Sequence, residues 1–153
     1  MTTVAGVSAR RAVSTDRRLQ IAIAVLCVLG LLVAGYLTYV HYAGVKVLCV
    51  ASGGCETVQA SKYAKLAGVP VAVLGLIGYL LILASVAVRG ELARAAAFAI
   101  ALVGFGFSAY LTYRELFTIH AICQWCVASA VVMTVLVVLT GVRFLREPVA
   151  EYL

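Results

Sequence analysis

Four long runs free of Asp, Glu, Lys and Arg, at 19–40, 66–88, 95–113 and 121–142, dominate this chain of 153 residues. Crossing the roughly 30 Å hydrocarbon core of a bilayer takes about 20 mostly apolar residues in a helix, so each run is long enough to span. Lipid offers the backbone no hydrogen-bond partner. Only helices and closed barrels satisfy it there, and these runs lack the period-two alternation of barrel strands. The expected fold is therefore all-α, a polytopic membrane four-helix bundle with helices at about 19–42, 66–88, 93–116 and 121–143 in one domain over 19–145. Tails of 1–18 and 146–153 flank it.

Composition agrees, with 65% hydrophobic and only 12% charged residues, which excludes a soluble globule and a disordered chain. The net charge of +6 does not imply nucleic acid, because the basic residues sit between apolar runs and build no basic face. They set the orientation. Arg10, Arg11, Arg17, Arg18, Arg89, Arg94, Arg143 and Arg146 fall on one side, and Lys46, Lys62, Lys65 and Arg114 on the other. By the positive-inside rule both termini are cytoplasmic in a plasma or inner membrane, and the loops holding Lys46 and Arg114 face out. The N-terminal arginines followed by an apolar run resemble a signal peptide, but the run is too long, so an uncleaved anchor is expected.

The loop from His41 to Lys65 is the long one, and long loops in compact proteins are often functional. Ser52-Gly53-Gly54 gives it a backbone that can bend, and the polar stretch from Glu56 to Ala64 is expected to form a short helix at the membrane interface. Four of the five cysteines lie on the outer side: Cys49 and Cys55 in this loop, and Cys123-Gln124-Trp125-Cys126 at the start of the last helix. An oxidising compartment suits them. Thiols one helical turn apart can close a disulfide, and a helix N-terminus favours the thiolate of Cys123. Exchange moves an electron pair between dithiols, so a mobile pair, Cys49/Cys55, and a fixed pair, Cys123/Cys126, make a two-stage relay. In a bilayer the natural two-electron acceptor is a quinone, menaquinone or ubiquinone, in an apolar pocket. Phe105, Phe107, Tyr110, Phe117 and Trp125 are placed to form one.

Cys49-x5-Cys55, Ser61, the stretch Tyr63-Ala64-Lys65-Leu66-Ala67-Gly68-Val69-Pro70, then Leu74-Gly75-Leu76-Ile77-Gly78-Tyr79 and Cys123-x-x-Cys126 resemble, in this order, the vitamin K epoxide reductase family in its bacterial form, over about residues 15–145. The resemblance implies that Cys126 faces and attacks the quinone, that Cys123 exchanges with Cys55, and that Cys49 is attacked by a separate DsbA-like thioredoxin-fold partner. Ser61 takes a supporting role. Disulfide formation in secreted proteins would follow. Vertebrate members that reduce the epoxide carry an asparagine and a tyrosine where this chain has Val71 and Ala130, which favours plain quinone over the epoxide. A main activity as a quinone or vitamin K epoxide reductase is the alternative within the family.

Other classes fit less well. No metal site is expected: the spacing lacks the two knuckles of a zinc site. A small transporter would keep an ionisable residue within a span, and none of the four runs holds Asp, Glu, Lys or Arg; a transporter or a small membrane protein without catalysis is the alternative outside the family. The DsbB family has its Cys-x-x-Cys in the first outer loop, and here it comes last. Cys27 reads as a packing residue, His41 and His120 as surface histidines, and Arg114 and Glu115 as markers of the membrane boundary. Gly75, Gly78, Gly104 and Gly106 read as points of close helix approach.

Overall fold

The computed structural model describes residues 2–50 and 53–146. Ser52 and the tail beyond Arg146 lie outside the described residues. The elements run α1 (Thr2–Ala43), α2 (Cys55–Ala60), a 3-10 turn (Lys62–Ala64), β1 (Lys65–Leu66), β2 (Val69–Pro70), α3 (Val71–Ala87), α4 (Glu91–Arg114), a π-helical turn (Glu115–Ile119) and α5 (Gln124–Leu145).

The first helix is longer than its apolar run. It begins at Thr2, because the stretch expected as a tail holds no proline and its polar side chains close on the helix itself. Ser14 and Thr15 donate to the Arg11 carbonyl at 3.0 and 2.9 Å. The second long helix starts later than expected, at Val71 and not at 66. Ala67 and Gly68 take positive φ of 52° and 84°, making a tight two-residue turn that pairs Lys65 with Pro70 and Leu66 with Val69. Pro70 then sits at the helix cap, where its missing N–H costs nothing. Of the stretch 56–64, expected as one short helix, the first part lies in α2 and the end forms the separate 3-10 turn, with Ser61 in extended conformation between them.

Each long helix packs on two others: α1 on α3 and α5, and α4 on α3 and α5. Ile23, Cys27 and Ala34 of α1, Tyr79, Ile82 and Val86 of α3, Ala101 of α4, and Met133 and Leu136 of α5 fill the centre. Tyr79 is wholly buried, and its hydroxyl meets the Ser129 hydroxyl at 2.8 Å, tying α3 to α5. Gly30 lets α1 come this close, since a Cβ there would run into the Tyr79 ring. Outside this core the helices stay apolar, with Ile21, Val25, Leu32, Leu81, Val103, Val131 and Val138 exposed. A helix apolar all round needs an apolar surrounding. The α1 and α5 helices, and α4 with its π-helical turn, are long and apolar enough to cross a membrane; α3 is apolar over 17 residues. The protein is an all-α membrane protein.

The two ends of the bundle differ. At the end where α5 finishes, Asp16 accepts from Arg143 Nε at 3.2 Å and lies 3.7 Å from Arg94, joining α1, α4 and α5. The cysteines gather at the other end, where α5 begins.

Candidate active site

Cys123 caps α5 in extended conformation, while Cys126 follows in the first turn, so the spacing and the helix start together set the pair. Both are free thiols, whereas Cys49 and Cys55 form a disulfide. Cys55, Val58 and Cys123 make one buried cluster, with Cys49, Cys126 and Trp125 packed against it. Cys55 and Cys123 are wholly buried; Cys49 is partly exposed.

Gly54 explains how α2 comes so near. A Cβ on it would lie 2.7 Å from the Ile122 carbonyl oxygen and 2.9 Å from the Ile122 nitrogen, so two backbones touch immediately before Cys55 and Cys123. The segment that carries Cys49 is held from the opposite side by the residues between the two thiols. Gln124 Oε1 accepts from the Val50 N–H at 3.2 Å, and the Trp125 indole N–H donates to the Leu48 carbonyl at 2.7 Å. Tyr36 of α1 completes the clasp: its hydroxyl accepts from the Leu48 N–H at 3.0 Å, and its ring lies 4.9 Å from the Trp125 ring.

Cys123 is primed as a thiolate. The Cys126 thiol donating to it, with the helix-start amides of Cys126 and Trp125, lowers its pKa to about 7 against the opposing pull of burial. Gln59 of α2 donates toward Cys126 Sγ at 3.9 Å. Glu115, read from the sequence as a boundary marker, is only 4% exposed. The π-helical turn that it opens carries its side chain inward, where Oε2 accepts from the Cys123 N–H at 3.2 Å. Arg114 turns outward, donating to the Tyr110 hydroxyl at 3.1 Å and lying over the Tyr63 and Tyr110 rings.

The other expected site residues are placed as follows. The Ser61 hydroxyl donates to the Val58 carbonyl at 2.7 Å, closing the end of α2. Phe107 stacks with Tyr110, and the Phe117 ring lies tilted against that of Tyr113. A groove of about 400 Å³ between α4 and α5 is lined by Phe105, Ala109, Val127, Ala130 and Val131 with the hydroxyl-bearing Ser108, Thr112 and Thr134. Phe105 belongs to it; Phe107, Tyr110, Phe117 and Trp125 are not among its lining residues. Gly54, Gln59, Glu115 and Gln124 were not among the site residues expected from the sequence. Glu115 did leave a signal, as the one acidic residue between Glu91 and Glu147.

Two cysteine pairs brought together at one end of an apolar helix bundle, one closed and one reduced, make a centre for thiol-disulfide exchange. The family model described as Vitamin K epoxide reductase family matches residues 21–141, a stretch that holds both pairs. The chain belongs to the vitamin K epoxide reductase family and is, accordingly, a multi-pass membrane oxidoreductase.

Proposed function

We propose that this protein oxidises the dithiol of a thioredoxin-fold, DsbA-like partner and passes the electrons through its two cysteine pairs to a membrane quinone, sustaining disulfide formation in secreted proteins. The observation that carries this reading is the burial of Cys55 against Cys123, with Cys49 left partly exposed. Cys49 is then the sulfur that a partner's thiolate attacks, forming a mixed disulfide and releasing the Cys55 thiolate. The partner's second thiol closes its own disulfide and frees Cys49. Cys55 next attacks Cys123 of the closed inner pair, and Cys126 leaves as thiolate. Cys49 displaces Cys123 from Cys55, which restores the outer disulfide and leaves the inner pair reduced. That is the redox state of the structure.

A quinone, when bound, supplies an acceptor for two electrons and two protons. The groove lined by Val127 and Ala130, on the helix that carries Cys126, suits its ring: its volume falls in the range of small-molecule sites, and its walls are apolar with a few hydroxyls. Phe105, Val127, Ala130 and Val131 would hold the ring. Ala130 brings no hydroxyl to the groove, which favours plain quinone, menaquinone or ubiquinone, over the epoxide. In this reading α3 is the fourth span, both termini are cytoplasmic, and the cysteine end faces out, consistent with Arg94 and Arg143 meeting at the opposite end.

Anaerobic mixing of the reduced protein with quinone tests the proposal. Cys126→Ala abolishes quinone reduction, whereas Cys49→Ala loses turnover with the partner and keeps it with a small dithiol. Equal activity of the two variants with the partner would overturn the relay.

A further inference from the structure

The segment that carries Cys49 is held by its backbone. The side chains of Leu48 and Val50 are 71% and 91% exposed, so apolar burial does not fix them. Three side chains do the holding: the Tyr36 hydroxyl takes the Leu48 N–H, the Trp125 indole N–H donates to the Leu48 carbonyl, and Gln124 Oε1 takes the Val50 N–H. Among the described residues, 46–50 make no other hydrogen bond. Apart from the packing of Val47 and Cys49 on the cysteine cluster, one further tie remains, the Cys49–Cys55 disulfide. While that bond is closed, the three hydrogen bonds repeat what it already does. They matter once it opens, because exchange breaks the covalent tie and leaves the hydrogen bonds in place. The clasp and the disulfide are present together, so the position in which Leu48 and Val50 are held is the position from which Cys49 reaches Cys55. Gln124 and Trp125 also follow Cys123 directly in the chain, and Tyr36 lies with its ring 4.9 Å from that of Trp125. Cys49 is thus kept beside the thiol that it has to displace.

We infer that Tyr36, Gln124 and Trp125 are positioning residues for Cys49, keeping its thiolate beside the Cys55–Cys123 mixed disulfide so that the outer pair closes again. Electrons balance within the chain. The Cys49 thiolate attacks the Cys55 sulfur, the Cys49–Cys55 bond forms, the Cys55–Cys123 bond breaks, and Cys123 leaves as thiolate with the electron pair. Without the clasp, Cys49 hangs on the connection between α1 and α2, which has to be ordered anew for each attack. This role rests on the reading that the two cysteine pairs exchange with each other. It holds for any reductant of the outer pair and any acceptor from the inner one.

A quinone-free and partner-free experiment decides it. Cys126→Ala removes the thiol that closes the inner pair, so the full-length protein in detergent holds one disulfide among Cys49, Cys55 and Cys123. After anaerobic incubation, acid quench and alkylation, peptide mapping by mass gives the ratio of Cys49–Cys55 to Cys55–Cys123. Both bonds share Cys55, so the ratio measures how well Cys49 competes with Cys123. In this background Trp125→Phe and Tyr36→Phe keep an aromatic ring and lose one hydrogen-bonding atom each, and Gln124→Leu loses the acceptor. Each is expected to shift the ratio about fivefold toward Cys55–Cys123, the worth of one hydrogen bond. Gln124→Glu, which keeps an acceptor for the Val50 N–H, restores most of the parent ratio. A loop loosened as a whole gives a different result, since Cys55 then leaves Cys123 too and the mixed disulfide does not accumulate. Ratios within about twofold of the parent in both Trp125→Phe and Gln124→Leu, or equal shifts in Gln124→Leu and Gln124→Glu, overturn the inference. Should Trp125→Phe open Cys27 to labelling, the sign of a disturbed bundle, the two Gln124 variants decide by the same limits. Absence of the Cys55–Cys123 bond from every variant overturns exchange between the pairs and this inference with it. If the ratio follows the clasp while the unmodified protein fails to reduce quinone, only the quinone reading falls.

Discussion

Cys123 combines burial with a thiol held ready to ionise, and these pull in opposite directions. Burial removes the water that would solvate a thiolate; the Cys126 thiol and the amides at the start of α5 replace that water with fixed donors. Because its pKa is lowered to about 7, the fraction of Cys123 in the reactive form rises as pH increases through 7, well before an ordinary thiol near 8.5 ionises. Alkylation of the reduced protein by iodoacetamide, followed for the Cys123 peptide from pH 5 to 10, is expected to show this early midpoint, and Cys126→Ala, which removes the donor, to move it upward. An unshifted midpoint in that variant would mean that the helix amides act alone. The two cysteine pairs were legible from spacing, since a helical turn and a loop pair are local patterns. Glu115 was not, because the distinction between a charge at a membrane edge and a charge turned into a site depends on a π-helical turn that no local pattern announces.

At the scale of elements, α2 is a helix of six residues that cannot hold its position through its own stability. Its position comes from outside: Gly54 seated on the Ile122 backbone, Val58 and Cys55 buried, and the Cys49–Cys55 disulfide. Gly54→Ala puts a Cβ where two backbone atoms already stand, so α2 must move off residue 122 and carry Cys55 away from Cys123. The expected result is exchange between the two pairs slowed by about tenfold or more, as follows from small misplacements of reacting groups, with the helical signal of the protein unchanged. Stopped-flow chemical quench with mass analysis of the Cys55–Cys123 mixed disulfide measures it; an unchanged rate would remove Gly54 from the site. From the sequence, Gly53-Gly54 suggested freedom to bend. The structure shows the second glycine serving close contact, and only the partner backbone, far along the chain, distinguishes the two uses.

Over the whole molecule, a reactive end and an ion-paired end are joined by helices whose outer faces remain apolar. Three of the four expected spans were legible because length and hydropathy are properties of the chain alone; the remaining run, 66–88, folds into the turn of β1 and β2 at its start, which leaves α3 only 17 residues. Which arginine meets which acid was not, for Asp16 and Arg143 lie 127 residues apart. Arg143 is 3% exposed, so removing its partner strands a charge in the protein. Asp16→Ala is expected to lower stability by about 1–3 kcal/mol, less than for a wholly buried pair because Asp16 is partly solvated. Thermal unfolding in detergent measures the loss, and thiol exchange well below the melting temperature should be unaffected, as it takes place at the opposite end. A variant as stable as the parent would show that water or lipid headgroups satisfy Arg143 equally well.

The clasp on the Cys49 segment also imposes an order on biosynthesis. Leu48 and Val50 emerge from the ribosome well before the side chains that hold them, Trp125 and Gln124, which lie 77 and 74 residues further on. Until the last helix is threaded into the bilayer, Cys49 and Cys55 have no docking surface and meet any oxidant or stray thiol unsupervised. The helix that begins at Gln124 is therefore the one that ties down the Cys49 loop, and a nascent chain that has not yet inserted it carries that loop without its clasp.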